Sequence, residues 1–439
     1  MKARPAVSRE FALLFAVMLT IAAGNTALQS VLPALGRSLH VADGAVALCF
    51  SASALLWVIA APLWAKRSDT HGRRAMILTG IGGYVVSLGA CGLFLAAGIN
   101  GWIAGTTAFV LFIIGRLIYG AFGSASPPAV QALVAGQTER EERTRALTLL
   151  ASATGLGTIL GPAVAPFLTL GAIGSVEIGL AGPAFVACAF GLAIFVTVRT
   201  MLPRDVGAHA GHGAAISYPS IGGQATGASI VAATADRHEP VAYRDPRVRG
   251  WLLVGLVMGH AQAMTGQVIG FLVIDRLHLA PALALQPTGI VLMMGAGAAL
   301  LVQWGLIPLL GLAPRALVLT GLALAAAGTA LTGLATSLHG IAVAYALASM
   351  GFGFVRPGFT AGASLAVGPA AQGSVAGKVT SINGASFVLG PSIGVALYEA
   401  GHALPYLVAG AACLVTGAAA WRTLSDARQR CNDRGGAIE

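Results

Sequence analysis

Residues 44–97 read GAVALCFSASALLWVIAAPLWAKRSDTHGRRAMILTGIGGYVVSLGACGLFLAA, and this stretch decides the fold. Two apolar runs, 44–65 and 76–97, flank a short charged loop. A helix needs about 20 mostly apolar residues to cross a hydrocarbon core, because each adds ~1.5 Å against ~30 Å. Both runs meet that length. The loop between them holds Lys66, Arg67, Arg73 and Arg74 against a single acid, Asp69. A pair of spanning helices joined by a basic turn is the reading.

Ten more such runs follow from the same rule. They lie near 11–32, 103–124, 145–168, 178–198, 250–274, 284–308, 316–336, 340–365, 375–398 and 403–421. The first has a basic start but stays apolar through Leu32, longer than the core of a signal peptide, so it is read as a span. Composition agrees. Of 439 residues 56% are hydrophobic and only 10% charged, and mean hydropathy is +0.81. A globular domain covers its surface with roughly 25% charged residues, so this chain faces lipid. Its 59 glycines sit inside apolar runs, where close helix contacts use them. The fold class is an all-α membrane protein with twelve transmembrane helices.

The net charge of +10 is explained by topology. Of the 26 Lys and Arg residues, only Arg37 and Arg276 fall in external segments, and only Arg116 and Arg356 within spans. All the others lie on one side when both termini are cytoplasmic, as the positive-inside rule requires. The location expected is a bacterial-type inner membrane, and nucleic acid is not needed to account for the basic balance. Four of the five cysteines are inside apolar runs, with no CxxC spacing, so neither a disulfide framework nor a metal site is expected. Residues 201–248 read as a flexible cytoplasmic linker, and His209 and His212 within it as solvated loop residues rather than a metal pair. The expected domains are a first bundle at 1–200, the linker, a second bundle at 249–424 and a tail at 425–439.

The two bundles are copies. Arg74-Ala75-Met76-Ile77-Leu78-Thr79-Gly80 opens helix 3, and Arg315-Ala316-Leu317-Val318-Leu319-Thr320-Gly321 opens helix 9. Leu160-Gly161-Pro162 in helix 5 matches Leu389-Gly390-Pro391 in helix 11, and Arg116 in helix 4 corresponds to Arg356 in helix 10. Parallel repeats of this kind imply a binding site near the midplane between the halves.

Three motifs carry a resemblance. Ala65-Lys66-Arg67-Ser68-Asp69-Thr70-His71-Gly72-Arg73-Arg74 closely resembles the loop signature of the major facilitator superfamily, with Ala65 for its leading glycine. Arg116-Leu117-Ile118-Tyr119-Gly120 looks like the Arg-x-x-x-Gly pattern of helix 4. Gly157-Thr158-Ile159-Leu160-Gly161-Pro162 resembles the helix 5 element of drug–proton antiporters, though Ala163, Val164 and Ala165 replace that element's second glycine pair. The resemblance implies a twelve-helix fold of two pseudo-symmetric bundles, a monomer, cavity-lining helices 1, 4, 7 and 10, and an exporter of drug–proton antiporter type. It implies that Asp69, Gly72, Arg73 and Arg74 gate the cytoplasmic side. Gly157 and Gly161 lie one turn apart and Pro162 removes a donor, so a hinge or seal packed against a helix of the other half is expected there and, by repetition, at Gly390 and Pro391.

Charges inside a membrane are costly and mark function. Arg116, Arg356 and His260 lie within spans, and Asn25, Gln29, Tyr119, Gln262, Gln267, Gln303 and Asn383 surround them along the chain. Pro357 suggests a local break beside Arg356. None of the sixteen acids falls clearly mid-membrane, and helix 1 offers Asn25 and Gln29 where many drug–proton antiporters carry a carboxylate. The substrate site expected is Arg116, Arg356, His260, Asn25, Gln29, Tyr119, Gln262 and Asn383, with an anionic or zwitterionic small organic substrate. His260 is the mid-span proton carrier expected, and Asp43 and Asp275 are candidates at the external end. The expected activity is proton-coupled export of a drug or metabolite, an anionic siderophore included, by alternating access. Uptake of an organic anion is the alternative. No nucleotide-binding motif, enzymatic residue set, metal or cofactor is expected.

Overall fold

In hydrocarbon no water can bond a free peptide group, so apolar segments close their hydrogen bonds internally as helices. The computed structural model describes residues 9–137, 140–203 and 240–424. Twelve helices among them are long and apolar enough to cross a membrane. In chain order they are α1 (Arg9–Ser38), α2 (Asp43–His71), α3 (Arg73–Ile99), α4 (Gly105–Gln137), α5 (Arg140–Val164) and α6 (Gly182–Met201). After the second bundle begins come α7 (Arg249–Leu277), α8 (Pro281–Leu310), α9 (Pro314–Leu334), α10 (Leu338–Leu365), α11 (Pro369–Ala400) and α12 (Leu404–Thr423). All twelve expected spans are present. Contacts divide the chain into Met1–Ala225 and Thr226–Glu439, so α1–α6 belong to one unit and α7–α12 to the other. Large apolar side chains such as Phe190, Val196, Val343, Leu414 and Val415 lie exposed on the spans, as a lipid-facing surface requires.

The structure departs from the sequence reading in four places. The fourth span does not stop near 124. A π-helical segment, Tyr119–Gly123, interrupts α4, which resumes at Ser126 and runs to Gln137. Pro127 and Pro128 sit in the first turn of the new segment, where a missing N–H is no loss. Between α5 and α6 an antiparallel hairpin forms, β1 (Leu170–Ile173) with β2 (Val176–Gly179). Asn100 clamps it to the end of α3, donating to Glu177 O at 2.7 Å and accepting from Glu177 N at 2.8 Å. Pro357 does not break its helix: α10 continues to Leu365, and Arg356 is buried. Finally, the end of the expected linker is packed. Val241 is buried and its N–H donates to Ser374 Oγ at 3.0 Å, and Lys378 Nζ lies 4.4 Å from the Tyr243 ring. His209, His212 and the tail 425–439 lie outside the described residues.

The repeat seen in sequence reappears as contacts. Arg74 at the start of α3 donates to the carbonyl of Arg199 near the end of α6. Arg315 at the start of α9 donates to Trp421 O near the end of α12 at 2.8 Å, its guanidinium 5.4 Å from the Trp421 ring. In each unit a cation thus meets orphan carbonyls at a helix C-terminus, where the macrodipole favours it. The glycine faces repeat as well. A Cβ on Gly161 would lie 2.5 Å from Ala23 O and 2.7 Å from Ala27 N, both backbone atoms of α1. A Cβ on Gly390 would lie 2.5 Å from Ala263 Cβ on α7. The nearest neighbours of these glycines are therefore in the first helix of their own bundle, where the sequence reading expected a helix of the opposite half. Thr26 reinforces the first contact, its Oγ1 donating to Gly157 O at 3.2 Å. Pro162 and Pro391 lie inside α5 and α11, and both helices run past them.

Gly161→Ala is expected to destabilise by about 1–3 kcal/mol, the usual range for overpacking, because backbone on α1 cannot give way. Gly297, on α8, has nothing within 4 Å of an added Cβ. Gly297→Ala is expected to leave the thermal midpoint of the detergent-purified protein unchanged or slightly raised.

Candidate functional site: a buried arginine and an amide in each bundle

Arg116 lies in the last turn of the first α-helical part of α4, Gly105–Ile118, and is only 2% exposed. Its Nη2 donates to Asn25 Oδ1 on α1 at 2.7 Å. The guanidinium carbon lies 4.6 Å from the ring centre of Tyr119 and 5.6 Å from that of Phe50. These rings offer their negative faces to the cation. Arg116 Nε is buried and has no hydrogen-bond partner. No ion pair joins Arg116 to a carboxylate among the described residues.

The backbone around it is held open by side chains. A π segment interrupts the regular i→i−4 ladder, and such segments cluster at functional sites. Ser87 Oγ on α3 donates to Gly115 O at 2.7 Å, and Ser53 Oγ on α2 donates to Arg116 O at 3.1 Å. Trp64 Nε1 donates to Ala121 O at 2.6 Å, within the π segment. Sequence reasoning missed Phe50, Ser53, Trp64 and Ser87. Serines in the middle of apolar runs were the available signal for two of them. Tyr119 is brought to the site, its ring 5.1 Å from Trp57. Gln29, one turn beyond Asn25, is half-buried and makes no hydrogen bond among the described residues.

The second bundle repeats the arrangement. Arg356 on α10 is 5% exposed, and its Nη2 donates to Gln262 Oε1 on α7. Again no ion pair to a carboxylate is present among the described residues. His260, also on α7, uses Nδ1 at 2.8 Å from Leu256 O. A carbonyl accepts only, so Nδ1 carries the proton in this geometry and Nε2 holds the free lone pair. Ser386 Oγ stands 3.2 Å from the same nitrogen and donates to Ile382 O at 2.9 Å. Asn383 and Gln267 are buried, each with its amide oxygen lacking a partner. Asn383 is not joined by a hydrogen bond to Arg356 or His260, and Gln303 lies in the π segment Leu301–Leu306 of α8.

Asp43 and Asp275 have different company. Asp43, at the start of α2, receives Arg37 Nη2 at 2.7 Å and Nε at 3.2 Å, a two-pronged ion pair. Asp275, near the end of α7, receives Tyr398 Oη–H at 2.6 Å and stands 3.7 Å from His402 Nε2. The His402 ring stacks on Tyr398 at 4.8 Å. Asp69 occupies the last turn of α2, and its side chain lies outside the described residues. Gly72 links α2 directly to α3 at φ +88°, a conformation glycine adopts without strain. A Cβ on Gly136 would lie 2.4 Å from Arg73 Nη1, so this guanidinium covers the end of α4.

Comparison with known proteins accords with this architecture. The family model described as Major Facilitator Superfamily matches residues 14–391. Multidrug resistance protein 1 of Bacillus subtilis (strain 168) is 28% identical over 172 residues, 39% of each chain. The Staphyloferrin B transporter of Staphylococcus aureus (strain NCTC 8325 / PS 47) is 28% identical over 160 residues, 36% of this chain and 35% of that one. The matched region thus spans less than half the length of these curated relatives. The crystal structure of the human organic anion transporter MFSD10 (TETRAN) superposes with a TM-score of 0.62 at 18% identity, covering 94% of this chain and 99% of that one. Twelve spans in two units, repeated helix-capping arginines and a family match across most of the sequence agree on one assignment: the chain is a multi-pass membrane protein and belongs to the major facilitator superfamily.

Proposed function

We propose that this transporter exports a small organic solute bearing a carboxylate or similar anionic group, in exchange for protons, by alternating access. One observation carries the reading. Each bundle buries an arginine that meets an amide and no carboxylate among the described residues. A buried cation without a countercharge is costly, and a planar guanidinium binds carboxylate or phosphate with paired hydrogen bonds. An anionic substrate supplies the missing charge. The cargo is a drug or an endogenous metabolite, and a carboxylate siderophore fits both the arginines and the export direction. Export is favoured by the helix 5 element at Gly157–Pro162 and by a relative whose name states multidrug resistance; the name of the staphyloferrin B transporter speaks for the cargo and not for the direction. The named cargo of the structural neighbour, an organic anion, fits either direction. Uptake of an organic anion is the second reading, since the same arginines would serve it.

His260 is our choice of proton carrier. Imidazole is the side chain whose charge changes near neutral pH, and the Nδ1 contact leaves Nε2 to take the proton. Asp43 is held in a two-pronged ion pair by Arg37, and Asp275 lies at the proposed external end. The location proposed is a bacterial inner membrane, with both termini cytoplasmic and a monomeric working unit. Asp69, Gly72, Arg73 and Arg74 form the proposed cytoplasmic gate.

The test compares small molecules released by cells with and without the gene, iron-poor and iron-replete, alongside a drug panel. Loss of one released anion marks a dedicated exporter. Unchanged release with raised sensitivity to cationic drugs overturns the anion reading. Loss of uptake of an external organic anion selects the second reading. With the cargo known, Arg116→Ala and Arg356→Ala are each expected to cut transport in inverted vesicles at least tenfold. His260→Gln is expected to abolish acceleration by a proton gradient while sparing substrate exchange at equal concentrations. Coupling that survives intact removes His260 from the role.

A further inference from the structure

Asn25 and Gln262 are the acceptors that the two buried arginines actually find. The Asn25 contact is 2.7 Å, and the Gln262 contact is made through the same guanidinium nitrogen, Nη2. An amide oxygen accepts a hydrogen bond and carries no net charge. It therefore orients the guanidinium without neutralising it. Of the five N–H donors on an arginine, Arg116 spends one on Asn25, while its buried Nε has no partner. The rings of Tyr119 and Phe50 shelter the cation without supplying a countercharge. Had a carboxylate stood at either amide position, it would have closed an ion pair and left a neutral site.

We infer that Asn25 and Gln262 set the charge selectivity of this transporter: as neutral partners they hold Arg116 and Arg356 in position while keeping their charge available to an anionic substrate. The inference rests on the function proposed above and names the residues that decide it. It makes the difference between amide and acid the selectivity switch. Asn and Asp share a shape, as do Gln and Glu, so Asn25→Asp and Gln262→Glu change charge with little change in packing. Each variant converts an oriented cation into a buried ion pair, which no longer attracts an anion and tolerates a cation.

The test uses the full-length protein purified in detergent and checked for a single monodisperse species. Binding is read from the thermal midpoint against citrate, salicylate and phenyl phosphate, and against tetraphenylphosphonium as a lipophilic cation. The wild type is expected to be stabilised by at least one of the anions and not by the cation. Asn25→Asp is expected to weaken that anion at least tenfold and to gain stabilisation by tetraphenylphosphonium. Asn25→Ala removes the tether but leaves the guanidinium charged, and is expected to weaken the anion without any gain of stabilisation by tetraphenylphosphonium. Where Asn25→Asp does not fold, Gln262→Glu carries the same expectation in the second bundle. An Asn25→Asp or Gln262→Glu protein that binds the anion as tightly as wild type overturns the inference and leaves the proposed function standing. A wild type stabilised by the cation, or by none of the anions, overturns both.

Discussion

A guanidinium buried inside a helix bundle with no carboxylate partner among the described residues is the constraint around which the rest of this protein is arranged. Arg116 sits in a helix whose neighbours must not carry acids and yet must hold it still. Asn25 holds it by one hydrogen bond, and Tyr119 and Phe50 hold it by their ring faces. The backbone that bears it is tied by Ser53 and Ser87 to the two adjacent helices. Desolvating a charge is expensive, so these contacts are structural conditions for Arg116 to exist at that depth. The same logic recurs at Arg356 with Gln262.

Close helix contact supplies the frame. Lipid tails do not squeeze apolar helices together as water does, so packing and small residues hold the bundle. Gly157 and Gly161 bring α5 against the backbone of α1, and Gly390 and Gly394 bring α11 against α7. Helix α1 also carries Asn25, and α7 carries Gln262 and His260. The helix that offers the site its amide is thus the helix fixed by the glycine face. At the membrane edge, Arg74 and Arg315 satisfy the last carbonyls of α6 and α12. These contacts position the site from outside while contributing nothing to its chemistry.

Duplication explains why the parts come in pairs, and divergence explains where they differ. Asp43 and Asp275 are not equivalent. Asp43 is locked to Arg37, whereas Asp275 shares its oxygen with Tyr398 beneath a stacked His402. His260 and Ser386 likewise join α7 to α11 without a counterpart between α1 and α5, where Thr26 reaches Gly157 instead. Among the described residues the two bundles share a buried arginine with an amide partner, and the imidazole that contacts the eleventh helix belongs to the second bundle.

The number of spans, the two-bundle repeat and the buried arginines were legible in the sequence. Hydrophobic length, basic loops and matching heptapeptides are local signals that survive in a string of letters. Residues 44–97 alone set the period of the whole chain. What the sequence could not decide was which polar group meets which. Asn25 and Gln29 looked alike, one turn apart on α1, and only tertiary packing gave Asn25 the arginine. Pro357 looked like a break, yet α10 runs through it with Arg356 buried. The π segment at Tyr119–Gly123 was invisible, and the donors that meet the carbonyls in and before it, Trp64, Ser53 and Ser87, stand on other helices. Span length depends on the chain's own residues facing lipid. The partner of a buried charge depends on residues far away in sequence, and that is settled only when the helices pack.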